Sequence, residues 1–127
     1  MDKMELNKTV KDYKELDVWK RAVQLAVDVY EVLESFPVSE KYTIVDQIKR
    51  SVISVPSNIA EGSGRNSLKE FIYYLYIARG SLSELETQLI LADKLNMCEN
   101  PVSIFNDIII VKKQINAFIN SLKRKTS

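Results

Sequence analysis

Histidine is absent from all 127 residues. Its absence excludes Ser-His-Asp and Cys-His catalysis, and the Glu-x-x-His pattern of di-iron bundles. Cysteine occurs once, at Cys98, so no internal disulfide can form and a reducing compartment fits. One cysteine without histidine also gives zinc too few ligands. Three glycines and three prolines are too few for a turn-rich β protein. The longest apolar run is Phe71 to Ala78, far short of the ~20 residues that span a bilayer. The polar N-terminus, MDKMELNKTVKDYKELD, lacks the apolar core of a signal peptide, and the expected location is the cytoplasm. Net charge is only +1, so no strong global field draws the chain to nucleic acid or membrane. Gly62-Ser63-Gly64-Arg65 lacks the spacing of a nucleotide-binding loop. No cofactor, metal or small-molecule substrate is expected.

What remains is helical periodicity in a chain long enough for one real core. Residues 1–15 read as a loose arm docking through Leu6, Val10 and Tyr13, and residues 16–125 as one domain. The first helix is expected from an N-cap at Asp17 to about Ser35, with Trp19, Ala22, Ala26, Val29, Leu33 and Phe36 as its seam. It is apolar over far more than the third of its circumference that a lone bundle needs. A second subunit covering that surplus is the favoured explanation. The second helix starts near Ser39, runs through Ile44, Ile48, Val52, Val55 and Ile59, and ends near Gly62. Pro56 lies inside it and is expected to kink rather than divide it. Ser67 and Glu70 form a capping box that opens the third helix. Its seam is Leu68, Phe71, Leu75, Ala78, Leu82, Leu85, Leu89 and Ala92. Asn100 and Pro101 read as N-cap and first position of the fourth helix, with Ile104, Ile108, Val111, Ile115, Phe118 and Leu122 inward. Four helices on short connections predict an all-α, antiparallel up-down-up-down four-helix bundle.

A second stripe on the proline-bearing helix is polar yet mostly uncharged: Gln47, Ser51, Ser54, Asn58, Glu61 and Arg65. Two readings stand. One is an interhelical hydrogen-bond network, with Gln47, Ser54, Asn58 and Glu61 answered by Ser81 and Glu84 and with Gln88 alongside. The other is a ligand or nucleic-acid groove. The tyrosines of the third helix, Tyr73, Tyr74 and Tyr76, divide likewise between base stacking and packing at a wet interface.

Four stretches carry a family resemblance: LDVWKRAVQLAVDVY (Leu16 to Tyr30), Phe36-Pro37, QIKRSVISVPSNIAEGSGR (Gln47 to Arg65) and EFIYYLYIARGSLSELETQL (Glu70 to Leu89). In this order they resemble the bacterial 23S rRNA intervening-sequence proteins, a family related to accessory proteins of diversity-generating retroelements. The resemblance implies a left-handed four-helix bundle, a homopentameric ring and no enzymatic activity. The chain departs from the family at Lys49, where an arginine is common, and at Ser63, where an aromatic often stands. It is also nearly neutral, whereas the retroelement relatives are strongly basic.

The function expected from all this is a non-enzymatic homo-oligomeric scaffold whose partner is a structured RNA or a protein. Lys49, Arg50, Arg65 and Lys69 are the candidate nucleic-acid contacts; a protein-binding adaptor without nucleic acid is the alternative. An enzyme using Glu61, Glu84 or Glu86 as acid or base would lack an electrophile, metal or cofactor.

Overall fold

The structure, a computed structural model, describes residues 12–99 and 101–126. Leu6, Val10 and Asn100, which carried expectations for the arm and for a helix cap, lie outside the described residues. Among the described residues are four α-helices: α1 (Asp17–Leu33), α2 (Ile44–Ser63), α3 (Leu68–Lys94) and α4 (Val102–Thr126). Each packs on its neighbour in sequence, and α1 packs on α4, closing an all-α four-helix bundle. Contacts run in opposite order along neighbours. Ser51 of α2 meets Glu84 and Gln88 of α3, whereas Ser54 meets Ser81. Glu86 of α3 meets Lys112 of α4, whereas Arg79 meets Asn116.

Several boundaries differ from the sequence expectation. Asp17 is the first residue of α1; Leu16 is the cap residue and gives no side-chain cap bond. Ahead of it the chain is already ordered, as a 3-10 turn over Tyr13–Glu15 whose Lys14 N–H donates to Asp12 Oδ1 at 2.9 Å. This turn rests against both α1 and α2, with the Tyr13 ring edge-on to Trp19 at 5.4 Å. Ser39 falls in a second 3-10 turn, Val38–Glu40, and α2 begins only at Ile44. Pro56 is carried within one continuous helix. Ser67 caps α3 as expected from the motif: its Oγ accepts from the Glu70 N–H at 3.2 Å. Pro101 lies just outside α4, and its carbonyl accepts from the Phe105 N–H at 3.1 Å.

The end of α3 has its own device. Asn96 adopts φ 58°, the left-handed region that asparagine tolerates. Its N–H donates to Asp93 O, and the Met97 N–H to Ala92 O, so two terminal carbonyls are satisfied by the paired bonds of a Schellman turn.

The core is one cluster drawn from all four helices. On α3 the buried set is the eight-residue seam read from the sequence, Leu68 to Ala92. On α1 it is not. Val18 and Leu25 are buried, while Trp19 and Ala26 pack only part-covered beside the core. On α4, Ile119 takes the buried place and Phe118 lies beside it, its ring 5.2 Å from that of Phe71. Both helices carry two overlapping apolar sets at three-four spacing, so periodicity alone does not rank them.

α2 and α3 approach closely at Gly62. A methyl group there would stand 2.7 Å from Tyr74 Cβ and 2.9 Å from Phe71 Cδ1. Gly80 is the opposite case: it is exposed, and a methyl group there would meet nothing within 4 Å.

Candidate functional site

Two polar features stand out on the surface of α3. The first lies where α2 and α3 meet. Ser51 is the one buried polar residue among those described, 2% exposed. Its hydroxyl is within reach of three acceptors: Glu84 Oε1 at 2.6 Å, Gln88 Oε1 at 2.9 Å and the Gln47 carbonyl at 3.0 Å. A hydroxyl has one proton, so it donates to one of them at a time. The short contact and the carboxylate's charge favour Glu84. Turning the Gln88 amide about would let its NH2 donate to the Ser51 oxygen. One turn further along, the Ser54 and Ser81 hydroxyls lie 2.7 Å apart. Asn58 Nδ2 donates to Ser54 O at 2.8 Å and Ser54 Oγ at 2.9 Å.

Thus Ser54, Asn58, Ser81 and Glu84 come together, with Ser51 and Gln88. Gln47 contributes its backbone carbonyl, and its side chain is exposed. Glu61 belongs elsewhere: its Oε1 accepts from Arg65 Nη2 at 2.5 Å. The network is half-open, because Glu84 is exposed while Ser51 is not. It ties two helices together in register and holds no electrophile. Ser51→Ala should cost ~1 kcal/mol, the usual worth of one net hydrogen bond, because Glu84 can turn to water. The loss should be less than additive with Glu84→Gln, which urea titration of the two single variants and the double variant will read.

The second feature is a strip of cations and tyrosines across the first half of α3. The Arg65 guanidinium lies 4.8 Å from the Tyr74 ring centre, and its Nη2 also donates to the Tyr74 hydroxyl. Tyr74 meets Tyr73 edge-on at 5.3 Å. Arg79 and Lys123 both stand over Tyr76, at 4.7 and 5.2 Å. Arg79 Nη1 also donates to Asn116 Oδ1 at 2.9 Å. Lys69 is exposed and lies one turn before Tyr73.

The four basic residues that the sequence nominated do not form one patch. Lys49 stands over the Tyr30 ring at 5.1 Å on the α1 side of α2. Arg50 is 74% exposed and 3.6 Å from Asp46, a pair of little energetic weight. Arg65 and Lys69 lie near the opposite end of the bundle. Lys123 was not among the residues that the sequence nominated. The signal was the fold: only antiparallel α3 and α4 bring residues 76 and 123 together.

Elsewhere, Cys98 lines an open cleft with Val32, Asp93 and Met97 at one end of the bundle. Burial pushes its thiol up from the ordinary value, and the Asp93 carboxylate adds to the shift. A thiol kept protonated is a weak nucleophile. Among the described residues, no three His, Cys, Asp or Glu side chains gather to hold a metal. None of the described helices is long and apolar enough to cross a membrane.

Comparison with known proteins places this bundle. The family model described as 23S rRNA-intervening sequence protein matches residues 14–120. The chain belongs to that family. A crystal structure described as a protein of unknown function from the S23 ribosomal protein family of Bacteroides thetaiotaomicron is similar to this member, with a TM-score of 0.75 and 26% identity. The match covers 81% of this chain and 95% of the other. No curated protein matches the chain. The family match reaches into all four helices, including α4 as far as residue 120.

Proposed function

We propose that this family member is a non-enzymatic scaffold that assembles with copies of itself through the outer face shared by α1 and α2. The observation that carries this reading is an apolar face that the single chain does not cover. Val27 and Ile53 are each 46% exposed, and Tyr30 is exposed between them. Val23, Val27 and Tyr30 share one side of α1, and Ile53, Pro56 and Ala60 share the adjoining side of α2. Lys49, beside this face, is folded over Tyr30, so a second copy would meet little repulsion from it. Five copies in a ring is the number that the family resemblance implies. The absence of histidine and the protonated lone thiol favour a structural role over a catalytic one.

The test is the mass in solution of the wild type and of a Val27→Asp, Ile53→Asp double variant, by light scattering after gel filtration. The wild type should run as one assembly and the variant as a helical monomer of 14.6 kDa. Two buried carboxylates per interface would each face a desolvation cost of several kcal/mol. A wild type that stays monomeric at high concentration overturns the reading and leaves the face to a different protein.

A further inference from the structure

The near-zero net charge hides a separation along the bundle axis. The antiparallel register puts residues 12–25, 54–81 and 114–126 in one half; these carry nine basic and five acidic side chains. The other half, residues 26–53, 82–99 and 101–113, carries six basic and ten acidic ones. One pole is therefore net positive by four charges and the other net negative by four. The cation–tyrosine strip lies on the positive pole. Lys49 and Arg50 lie on the negative one.

We infer that the strip formed by Arg65, Lys69, Tyr73, Tyr76, Arg79 and Lys123 is a docking surface for single-stranded nucleic acid. Its charge suits a phosphate backbone, which dominates affinity in such contacts. Its aromatics suit unpaired bases. Tyr73 is 61% exposed and offers a ring for stacking without unfolding anything. Tyr76 already holds two cations over its ring, so charge and aromatic surface sit within one nucleotide's reach. Lys69 has no ion-pair partner among the described residues, and so needs to give up none. Arg65 does need to, since Glu61 holds it. An anionic membrane would satisfy the charge equally. It would also call for a helix face rich in Leu, Phe or Trp, and this strip offers tyrosine instead. The surface lies away from the α1/α2 face, and the inference extends the scaffold reading without depending on it.

The test is fluorescence anisotropy of a labelled single-stranded RNA oligonucleotide of mixed sequence with the full chain, at low and near-physiological salt. Wild-type binding should weaken steeply with salt. Lys69→Glu with Lys123→Glu should weaken binding at least ~10-fold and flatten the salt dependence by about two phosphate contacts. Tyr73→Ala should weaken it by ~5-fold or more with the salt slope unchanged, the mark of a lost stacking contact. Lys49→Glu with Arg50→Glu, on the negative pole, should change it less than ~2-fold. The same samples are weighed by light scattering, so loss of assembly is distinguished from loss of RNA. No binding by the wild type at low salt overturns the inference. So does equal or greater loss in the Lys49, Arg50 variant, or binding to phosphatidylserine vesicles but not to RNA.

Discussion

Gly62→Ala should lower the stability of this bundle, although alanine is the better helix former. Alanine in a helix interior gains ~1 kcal/mol over glycine. Against that, the new methyl would stand 2.7 Å from Tyr74 Cβ, 2.9 Å from Phe71 Cδ1 and 3.3 Å from the Phe71 carbonyl oxygen. None of these is the free end of a flexible side chain. Tyr74 Cβ is fixed to its backbone, and Phe71 is fully buried in the core. Relief requires α2 and α3 to move apart, which loosens the Phe71 packing and stretches the serine contacts further along. Overpacking of this kind costs ~1–3 kcal/mol, occasionally more. The net expectation is a loss of up to ~2 kcal/mol for alanine, and more for Gly62→Val, which adds two further methyl groups at the same point. In a domain of this size each kcal/mol is roughly 3–6 °C of melting temperature. Gly64→Ala is the control. Its methyl would meet only backbone oxygens, the nearer being Glu61 O at 3.5 Å, an ordinary contact, and Gly64 has a φ of −86° that any residue adopts. Its melting temperature should hold or rise. Equal melting of the two variants would mean that α2 and α3 do not approach as closely as they do here.

That contrast marks where the sequence was informative. Gly62 read only as the end of a helix, because spacing and composition report turns and not clearances. That Gly62 is needed for space depends on which α3 residue faces it, a matter of register between two helices. The same limit explains the polar stripe. Ser51, Ser54 and Asn58 stood out because uncharged polar residues at helical spacing are unusual on a solvated face. Gln47 and Glu61 fit the same spacing but lie towards the two ends of the stripe, where one reaches water and the other finds Arg65. On α3 the seam was legible from its second half, where Arg79, Ser83, Glu84, Glu86, Thr87 and Gln88 leave only Leu82, Leu85 and Leu89 apolar, a row that extends back at the same spacing through the unbroken run Phe71 to Ala78. The cap at Ser67 was legible for a local reason: its partner is three residues away. The Schellman turn at Asn96 depends on a backbone angle, and no neighbouring glycine or proline announced it.

Leu25→Ala is the sharper test of the core, because it separates two rows that periodicity left equivalent. Leu25 is 1% exposed and belongs to the buried row of α1. Ala26, its neighbour, is only part-covered. Truncating a fully buried leucine removes its burial energy and leaves a cavity, together costing ~2–5 kcal/mol. The loss should be independent of protein concentration, since Leu25 touches the inside of its own bundle. Val27→Ala, two positions on, removes less from a side chain that the single chain leaves half-exposed. In a monomer it should change stability by no more than ~0.5 kcal/mol. In the proposed assembly Val27 is covered by another copy, so its effect should appear as weaker association and vanish on dilution, following mass action. Thermal melts of both variants across a wide range of concentration therefore read two properties of one helix: the side that holds the bundle together, and the side that holds the copies together. A concentration-independent loss at Val27 as large as that at Leu25 would place Val27 in the core and contradict the burial of α1 described here.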